Sequence, residues 1–129
     1  MKNAALFHLP HVVYYVYDRE DRLLYIGCTH NLQSRMAVHR AYGNPSPASF
    51  AIMLHGHRVE SVQHPDYATA AAAEKAETIR LAPYFNRQNN PTRFRRDGKD
   101  YVEVLPSYEP PKPTPEQAEL RRVLDGFVS

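Results

Sequence analysis

Two short apolar runs near the start of the chain predict a β-hairpin. Residues 12–17 are all β-branched or aromatic, a composition that favours a strand. Side chains alternate along a strand, so we expect Tyr14 and Tyr15 on opposite faces. The polar residues 18–21 predict the turn, and the apolar residues 23–26 predict the second strand. Gly27 follows that run, and we expect its conformational freedom to end the strand there.

A helix is predicted from Asn31 to about Tyr42, because the Asn31 side chain can accept a hydrogen bond from a free backbone N–H of the first turn. Arg35 and His39 stand four residues apart, so they share one face of this helix. Viewed along the helix axis, the side-chain directions of both residues lie within about 60° of that of Leu32, which should point into the core. This placement fits two arrangements. Either Arg35 and His39 line a cleft, or Arg35 extends from the edge of the core into solvent.

The rest of the pattern predicts three more helices and two more strands. The helices cover Ala48–Leu54 with Ser46 as the cap, Tyr67–Ala82 and Pro115–Phe127, and the strands cover His57–Gln63 and Tyr101–Leu105 as an edge strand. In the third predicted strand, Val59 and Val62 are the apolar positions. The order predicts an α/β fold of the α+β type, with a small three-stranded antiparallel sheet flanked by helices. A proline-rich linker at 106–115 then leads to the C-terminal helix.

The long alanine-rich helix contains two candidate acids. Tyr67, Glu74 and Leu81 repeat at seven-residue spacing, which predicts a buried stripe that includes the Glu74 carboxylate. Glu77 lies nearly one turn further on and partly shares that face. The sequence therefore favours Glu74 as a buried acid and leaves Glu77 as the alternative.

Composition narrows the class of protein. The chain has 129 residues, of which 43% are hydrophobic, enough for one globular core. Cys28 is the only cysteine, which excludes an internal disulfide and suits a reducing cytoplasm. No apolar run is long enough for a membrane span, so we expect no membrane association.

The distribution of charge says more than its total. A net charge of +2 excludes few classes of protein, but residues 80–99 hold six basic residues against one acid. That cluster either contacts phosphates or is a solvated, partly disordered segment.

Several motifs follow one another in a fixed order along the chain. The tyrosines of Val12-Val13-Tyr14 and Tyr25-Ile26-Gly27 are eleven residues apart, and the two tripeptides resemble the name-giving motifs of the GIY-YIG nuclease family. Arg35 follows the second tyrosine by ten residues, and His39 comes four residues later. The downstream acid and the closing Pro-x-x-Asn of the family fall on Glu74 and on residues 83–86.

Two positions depart from the family pattern. Val12 stands where the family usually has glycine, a change that suits a strand and removes no chemical group. Thr78 stands where an apolar residue usually follows the acid, with Ile79 one position later. A slip in the helix would make Glu77 the functional acid instead of Glu74.

The resemblance implies a nuclease that hydrolyses DNA phosphodiesters with a single divalent cation, Mg²⁺ or Mn²⁺. It implies a nuclease domain over residues 10–92, followed by a basic segment, the linker and the terminal helix over 93–129. The implied catalytic residues are Tyr14, Tyr25, Arg35, His39, Glu74 and Asn86, with Glu74 as the metal ligand. We expect DNA contacts from the basic residues Arg40, Arg87, Arg93, Arg95 and Arg96.

The residue types fit that chemistry. An arginine stabilises the charge that grows on a phosphodiester in the transition state, and one carboxylate with waters can hold Mg²⁺. Tyr14 is a candidate general base only if Arg35 or the metal lowers its pKa, and His39 is the alternative base. Asn86 would orient the phosphate or position the acid-bearing helix.

Two rival functions stay open at this point. One is a nucleic-acid-binding module on the same fold without catalysis. The other is an interaction protein whose C-terminal helix binds a protein partner or a second copy of the chain.

Overall fold

The computed structural model describes residues 7–40, 46–104 and 106–128, and the side chains of residues 40, 127 and 128 fall outside that description. The predicted helix end at Tyr42 and the strand end at Leu105 therefore lie outside the described residues. The same holds for the side chain of Arg40, which the sequence predicts as a DNA contact.

The predicted three-stranded antiparallel sheet is confirmed. β1 (His11–Tyr17) is the central strand, with β2 (Leu23–Thr29) on one side and β3 (Arg58–His64) on the other. α1 (Leu32–Arg40) and α2 (Pro47–His55) follow β2, and α3 (Tyr67–Leu81) follows β3. This is the small α/β fold that the hydrophobic pattern predicts.

The sheet separates two layers of the core, and the period-2 alternation of β1 assigns its residues to them. Tyr14 and Val16 point to the layer that holds Met36 of α1 and Ile52 of α2. Val13 points to the opposite layer, where it packs with Ala70 of α3. Tyr14 is therefore buried beneath α1 and α2, close to the helix that carries the predicted arginine and histidine.

Gly27 does not end the second strand, so that prediction is wrong. β2 continues through it to Thr29, and Gly27 pairs with Tyr14 across the sheet. A Cβ atom built on Gly27 would overlap the ring carbons and the hydroxyl of Tyr14. Glycine is needed here because the Tyr14 side chain crosses over the neighbouring strand, not because the backbone turns.

Local chemistry sets the start of each helix that follows the hairpin. Asn31 Oδ1 accepts from Ser34 N at 3.0 Å, and the Ser46 hydroxyl accepts from Ser49 N at 3.4 Å, as the sequence predicts.

The prediction that Val59 and Val62 are the apolar positions of β3 is only half right. Val59 packs against the core, but Val62 is 52% exposed, because residues three apart on a strand point to opposite faces.

The basic segment forms a separate hairpin. β4 (Phe94–Asp97) pairs with β5 (Asp100–Glu103), and Gly98 in the turn has a φ of 65°. The predicted edge strand therefore pairs with β4 and not with the three-stranded sheet. Gly98 and Lys99 form the two-residue turn, and glycine at the first turn position is a common hairpin signal. We did not predict this hairpin from the sequence.

The proline-rich linker docks on the domain before the terminal helix begins. The Tyr108 hydroxyl donates to Asp18 Oδ2 at 2.8 Å, and Arg22 Nη2 donates to the Glu109 carbonyl at 2.7 Å. α4 (Pro115–Val128) then presents an apolar face in which Leu120 and Leu124 are more than half exposed. Within the described ranges, no helix combines the length and hydropathy that crossing a membrane requires.

Candidate active site

A buried hydrogen-bond chain lies beneath α1 and α2. The Tyr14 hydroxyl is 2.7 Å from His39 Nε2, and His39 Nδ1 is 2.9 Å from the Ser49 hydroxyl. All three side chains are at least nine-tenths buried. Both ring nitrogens of His39 are therefore engaged, which fixes the plane and position of its imidazole. Sequence reasoning identified Tyr14 and His39 but missed Ser49, which lies among the apolar residues of α2 with no motif around it.

Tyr25 extends this cluster to the surface. Its ring centroid lies 5.4 Å from that of His39 and 6.1 Å from that of Tyr14. Tyr25 is half-buried and lines an open cleft of about 450 Å³ together with Glu74 and Asn86. We call this cleft, lined by Tyr25, Glu74 and Asn86, the catalytic cleft. The register of β1 against β2 brings the two tyrosines to one face.

The structure separates the two candidate acids. Glu77 accepts from the Tyr15 hydroxyl at 3.1 Å and from Arg80 Nε at 2.6 Å, outside the cleft. Glu74 lines the cleft, and no described side chain donates a hydrogen bond to its carboxylate or forms an ion pair with it. This arrangement favours Glu74 as the functional acid.

The stripe that led to Glu74 is nevertheless wrong. Tyr67 is 42% exposed and Leu81 is 38% exposed, so the predicted face is not the buried one. The buried residues of α3 are Ala70 and Thr78, on either side of Glu74. Thr78 can replace an apolar residue because its hydroxyl donates to the Glu74 carbonyl at 2.7 Å and carries no unpaired donor into the core.

Arg35 lies at the exposed side of α1 and is electrostatically close to the cluster. Its charge lowers the pKa of both Tyr25 and Glu74, although burial raises both pKa values more strongly. Among the described residues, no carboxylate lies within ion-pair distance of the Arg35 guanidinium. Arg35 and His39 share one face, but only His39 is buried. The guanidinium is thus available to an anion that enters from solvent.

The electrostatics of the buried pair set its protonation states. Burial raises the pKa of Tyr14 far above its ordinary value and outweighs the opposing effect of Arg35. Burial and the Arg35 charge both hold the pKa of His39 below its ordinary value. At neutral pH, Tyr14 therefore keeps its proton and His39 is neutral. The condition that Tyr14 needs as a lone base, a lowered pKa, is not met by the protein groups alone.

Asn86 is bonded to the outer edge of β2. Its Oδ1 accepts from Ile26 N and its Nδ2 donates to the Ile26 carbonyl, both at 2.8 Å. Phe85 N donates to the Leu24 carbonyl at 2.9 Å in the same edge. Since both ends of the amide are occupied, Asn86 fits the positioning alternative: it ties the loop after α3 to the strand that carries Tyr25.

The predicted DNA-contacting arginines have different environments. Arg87, Arg95 and Arg96 are exposed around the basic hairpin. Arg93 is only 6% exposed, and its Nη2 lies 2.8 Å from Glu103. Its buried Nε has no hydrogen-bond partner among the described residues. Arg93 also lines the catalytic cleft, so it differs from the surface contact that the sequence predicts.

The donor set fits a hard cation better than a zinc-type site. No group of three or more His, Cys, Asp and Glu side chains that could hold a metal occurs in the described part of the chain. Mg²⁺ and Mn²⁺ need fewer protein ligands, because waters and substrate oxygens complete their coordination. The half-buried carboxylate of Glu74, with which no described side chain pairs, is a suitable single ligand of that kind.

A family model of the GIY-YIG catalytic domain matches residues 10–79 of the chain. The match runs from β1 into α3 and includes Tyr14, Tyr25, Arg35, His39 and Glu74. No curated protein matches the chain.

Proposed function

The chain belongs to the GIY-YIG catalytic-domain family, and from that premise we propose that it is a metal-dependent endonuclease that hydrolyses DNA phosphodiester bonds. One observation carries the proposal. Neither the Arg35 guanidinium nor the Glu74 carboxylate pairs with a described side chain, and both charges act on Tyr25, whose ring lies beside the buried tyrosine–histidine pair. A binding module has no need of an unpaired, half-buried carboxylate that would repel the DNA backbone.

In this proposal, Arg35 binds the scissile phosphate. A planar and permanently charged guanidinium matches the phosphate oxygens and stabilises the charge that develops on them during attack. Glu74 would hold one Mg²⁺ or Mn²⁺, and that cation would supply positive charge for the phosphate and for the leaving 3′ oxygen. Tyr25 stands between these groups and the buried pair, where its hydroxyl can orient the attacking water or the phosphate.

Tyr14 and His39 act together as the base. The Tyr14 oxygen accepts a proton from water while its own proton passes to His39 Nε2, so Tyr14 never carries a full charge in its buried site. This transfer requires the His39 tautomer with hydrogen on Nδ1, which then donates to the Ser49 hydroxyl. The low pKa of His39 keeps it neutral and able to accept a proton at neutral pH.

The exposed arginines of the basic hairpin provide DNA contacts outside the cleft. Arg87, Arg95 and Arg96 are the exposed candidates, and the Arg40 side chain is added to them by prediction. The nearly buried Arg93 would act only from the wall of the cleft. Phosphate contacts of this kind fix the position of DNA and make its affinity depend on salt.

The proposed domain division follows the same logic. Residues 10–92 form the nuclease domain, and residues 93–129 add the hairpin, the linker and α4. The exposed apolar face of α4 supports binding of a protein partner or self-association, and the single half-buried thiol of Cys28 supports a cytoplasmic setting. Removal of residues 115–129 tests the role of α4 and keeps the Tyr108–Asp18 contact. We expect this truncated protein to remain a nuclease.

Cutting of supercoiled plasmid and of a branched oligonucleotide tests the proposal. We expect cutting with Mg²⁺ or Mn²⁺, none with EDTA, and a loss of about 100-fold or more in Arg35→Ala. Arg121→Ala, an exposed arginine on α4, is the matched control and should cut like the parent protein. DNA binding without cutting in every metal would overturn the proposal and favour a catalytically inactive binding module.

A further inference from the structure

A second, smaller pocket adjoins Arg35 at the end of the sheet. It has a volume of about 210 Å³ and is separate from the catalytic cleft. Its aromatic side chains come from the N-terminal arm, β1, the residue after β2 and the first turn of α3: Phe7, His11, His30 and Tyr67. Arg35 and Cys28 also line it, and burial together with the charge of nearby Glu74 raises the pKa of the Cys28 thiol. We call this the aromatic pocket.

The rings of the aromatic pocket form a continuous set. Ring centroids are 5.0 Å apart for Phe7 and Tyr67, 5.4 Å for Tyr67 and His11, and 5.6 Å for His11 and His30. Two hydrogen bonds hold this set in place. Tyr67 N donates to the Phe7 carbonyl at 3.0 Å, and His11 Nδ1 lies 2.8 Å from the Leu9 carbonyl. The pocket is therefore organised before any ligand arrives.

Part of its aromatic surface stays exposed in the described structure. Phe7 is 49% exposed and Tyr67 is 42% exposed, although both lie against ordered structure. Exposed aromatic faces beside an unpaired guanidinium are the combination that binds a nucleotide, because bases stack on aromatic rings and the cation binds the phosphate. Arg35 lines the aromatic pocket, so a base held there would belong to a nucleotide next to the phosphate on Arg35.

We propose that the aromatic pocket receives an unstacked nucleobase of the nucleotide that flanks the scissile phosphate. This inference rests on the proposed function and narrows its substrate to DNA with an unpaired nucleotide at the cut, such as a single strand or a branch. In continuous duplex DNA each base is stacked and paired, and its removal from the helix opposes binding. An unpaired nucleotide enters without that penalty.

Binding of a fluorescent base tests the pocket without any cutting. Glu74→Gln is mixed, in EDTA, with an oligonucleotide that carries 2-aminopurine at an unpaired position. Stacking on an aromatic ring should change its fluorescence. Adding Phe7→Ala or Tyr67→Ala should remove most of that change and weaken binding by at least about fivefold. Phe50→Ala is the matched control, because Phe50 is 55% exposed on α2 and lies outside the pocket.

Two outcomes overturn the inference. One is a fluorescence change that survives both pocket substitutions in folded protein, and the other is equal cutting of duplex and branched DNA by the wild-type protein. Circular dichroism verifies folding of each variant, and Tyr67→Leu, which keeps apolar volume without an aromatic face, separates stacking from packing. If the wild-type protein cuts DNA while the substitutions have no effect, only the inference fails. If no DNA is cut but the base is bound, the proposed hydrolysis fails instead.

Discussion

Replacement of Asn86 by alanine should weaken the fold by a predictable amount. The side-chain amide makes two hydrogen bonds of 2.8 Å to the backbone of Ile26, and Asn86 is only 5% exposed. Alanine removes both bonds and leaves the N–H and C=O of Ile26 without their side-chain partner at the edge of β2. The strand that carries Tyr25 then loses its attachment to the loop after α3.

The magnitude follows from the two groups left unpaired. A buried polar group without a partner costs about 1–3 kcal/mol, so the loss of both should lower the free energy of unfolding by about 2–6 kcal/mol. With a urea m-value of about 2 kcal/mol/M, the unfolding midpoint falls by about 1–3 M. Asn86→Asp keeps the acceptor for Ile26 N but sets a carboxylate oxygen against the Ile26 carbonyl, so it should not restore the lost stability.

Urea unfolding followed by circular dichroism measures these changes. Gln88→Ala is the matched control, because Gln88 lies in the same loop and is exposed. We expect its midpoint to stay at the wild-type value. An Asn86→Ala midpoint equal to that of Gln88→Ala would refute the reasoning, since the two amide bonds would then contribute nothing.

The other predictions concern the buried cluster. Gly27→Ala forces a methyl group into the Tyr14 side chain, so its unfolding free energy should fall by about 1–3 kcal/mol and cutting should slow, as urea titration and plasmid nicking will measure. Ser49→Ala should slow single-turnover cutting without weakening DNA binding, and Ser49→Thr, which keeps the hydroxyl, should recover part of the rate. Because the folded protein holds the pKa of His39 below that of the unfolded chain, stability should fall as pH drops below about 6.5, and His39→Gln should flatten that fall in urea titrations at several pH values.

Elements with local causes were predictable from the sequence. The hairpin follows from an unbroken β-branched and aromatic run, and the start of α1 follows from the Asn31 side chain. The spacing of Tyr14, Tyr25, Arg35 and His39 placed these residues near one another because each lies on the hairpin or on the helix that directly follows it.

Features that depend on distant packing were not predictable in this way. The role of Gly27 is set by a side chain on the neighbouring strand, and the buried face of α3 is set by how the helix meets the sheet. Asp18 is fully buried although it lies in a polar turn, because the Tyr108 hydroxyl, 90 residues later, donates to it. Ser49 depends in the same way on His39 of another helix. A single sequence gives no local signal for such partners.

The most direct test of the central claim compares two glutamates of one helix. Glu74→Gln and Glu77→Gln differ from the parent protein by the same chemical change on α3, but only Glu74 lines the catalytic cleft. Single-turnover nicking of supercoiled plasmid with Mg²⁺ should fall by about 100-fold or more in Glu74→Gln and stay near the parent rate in Glu77→Gln. Full activity in Glu74→Gln, or a loss confined to Glu77→Gln, would contradict the account.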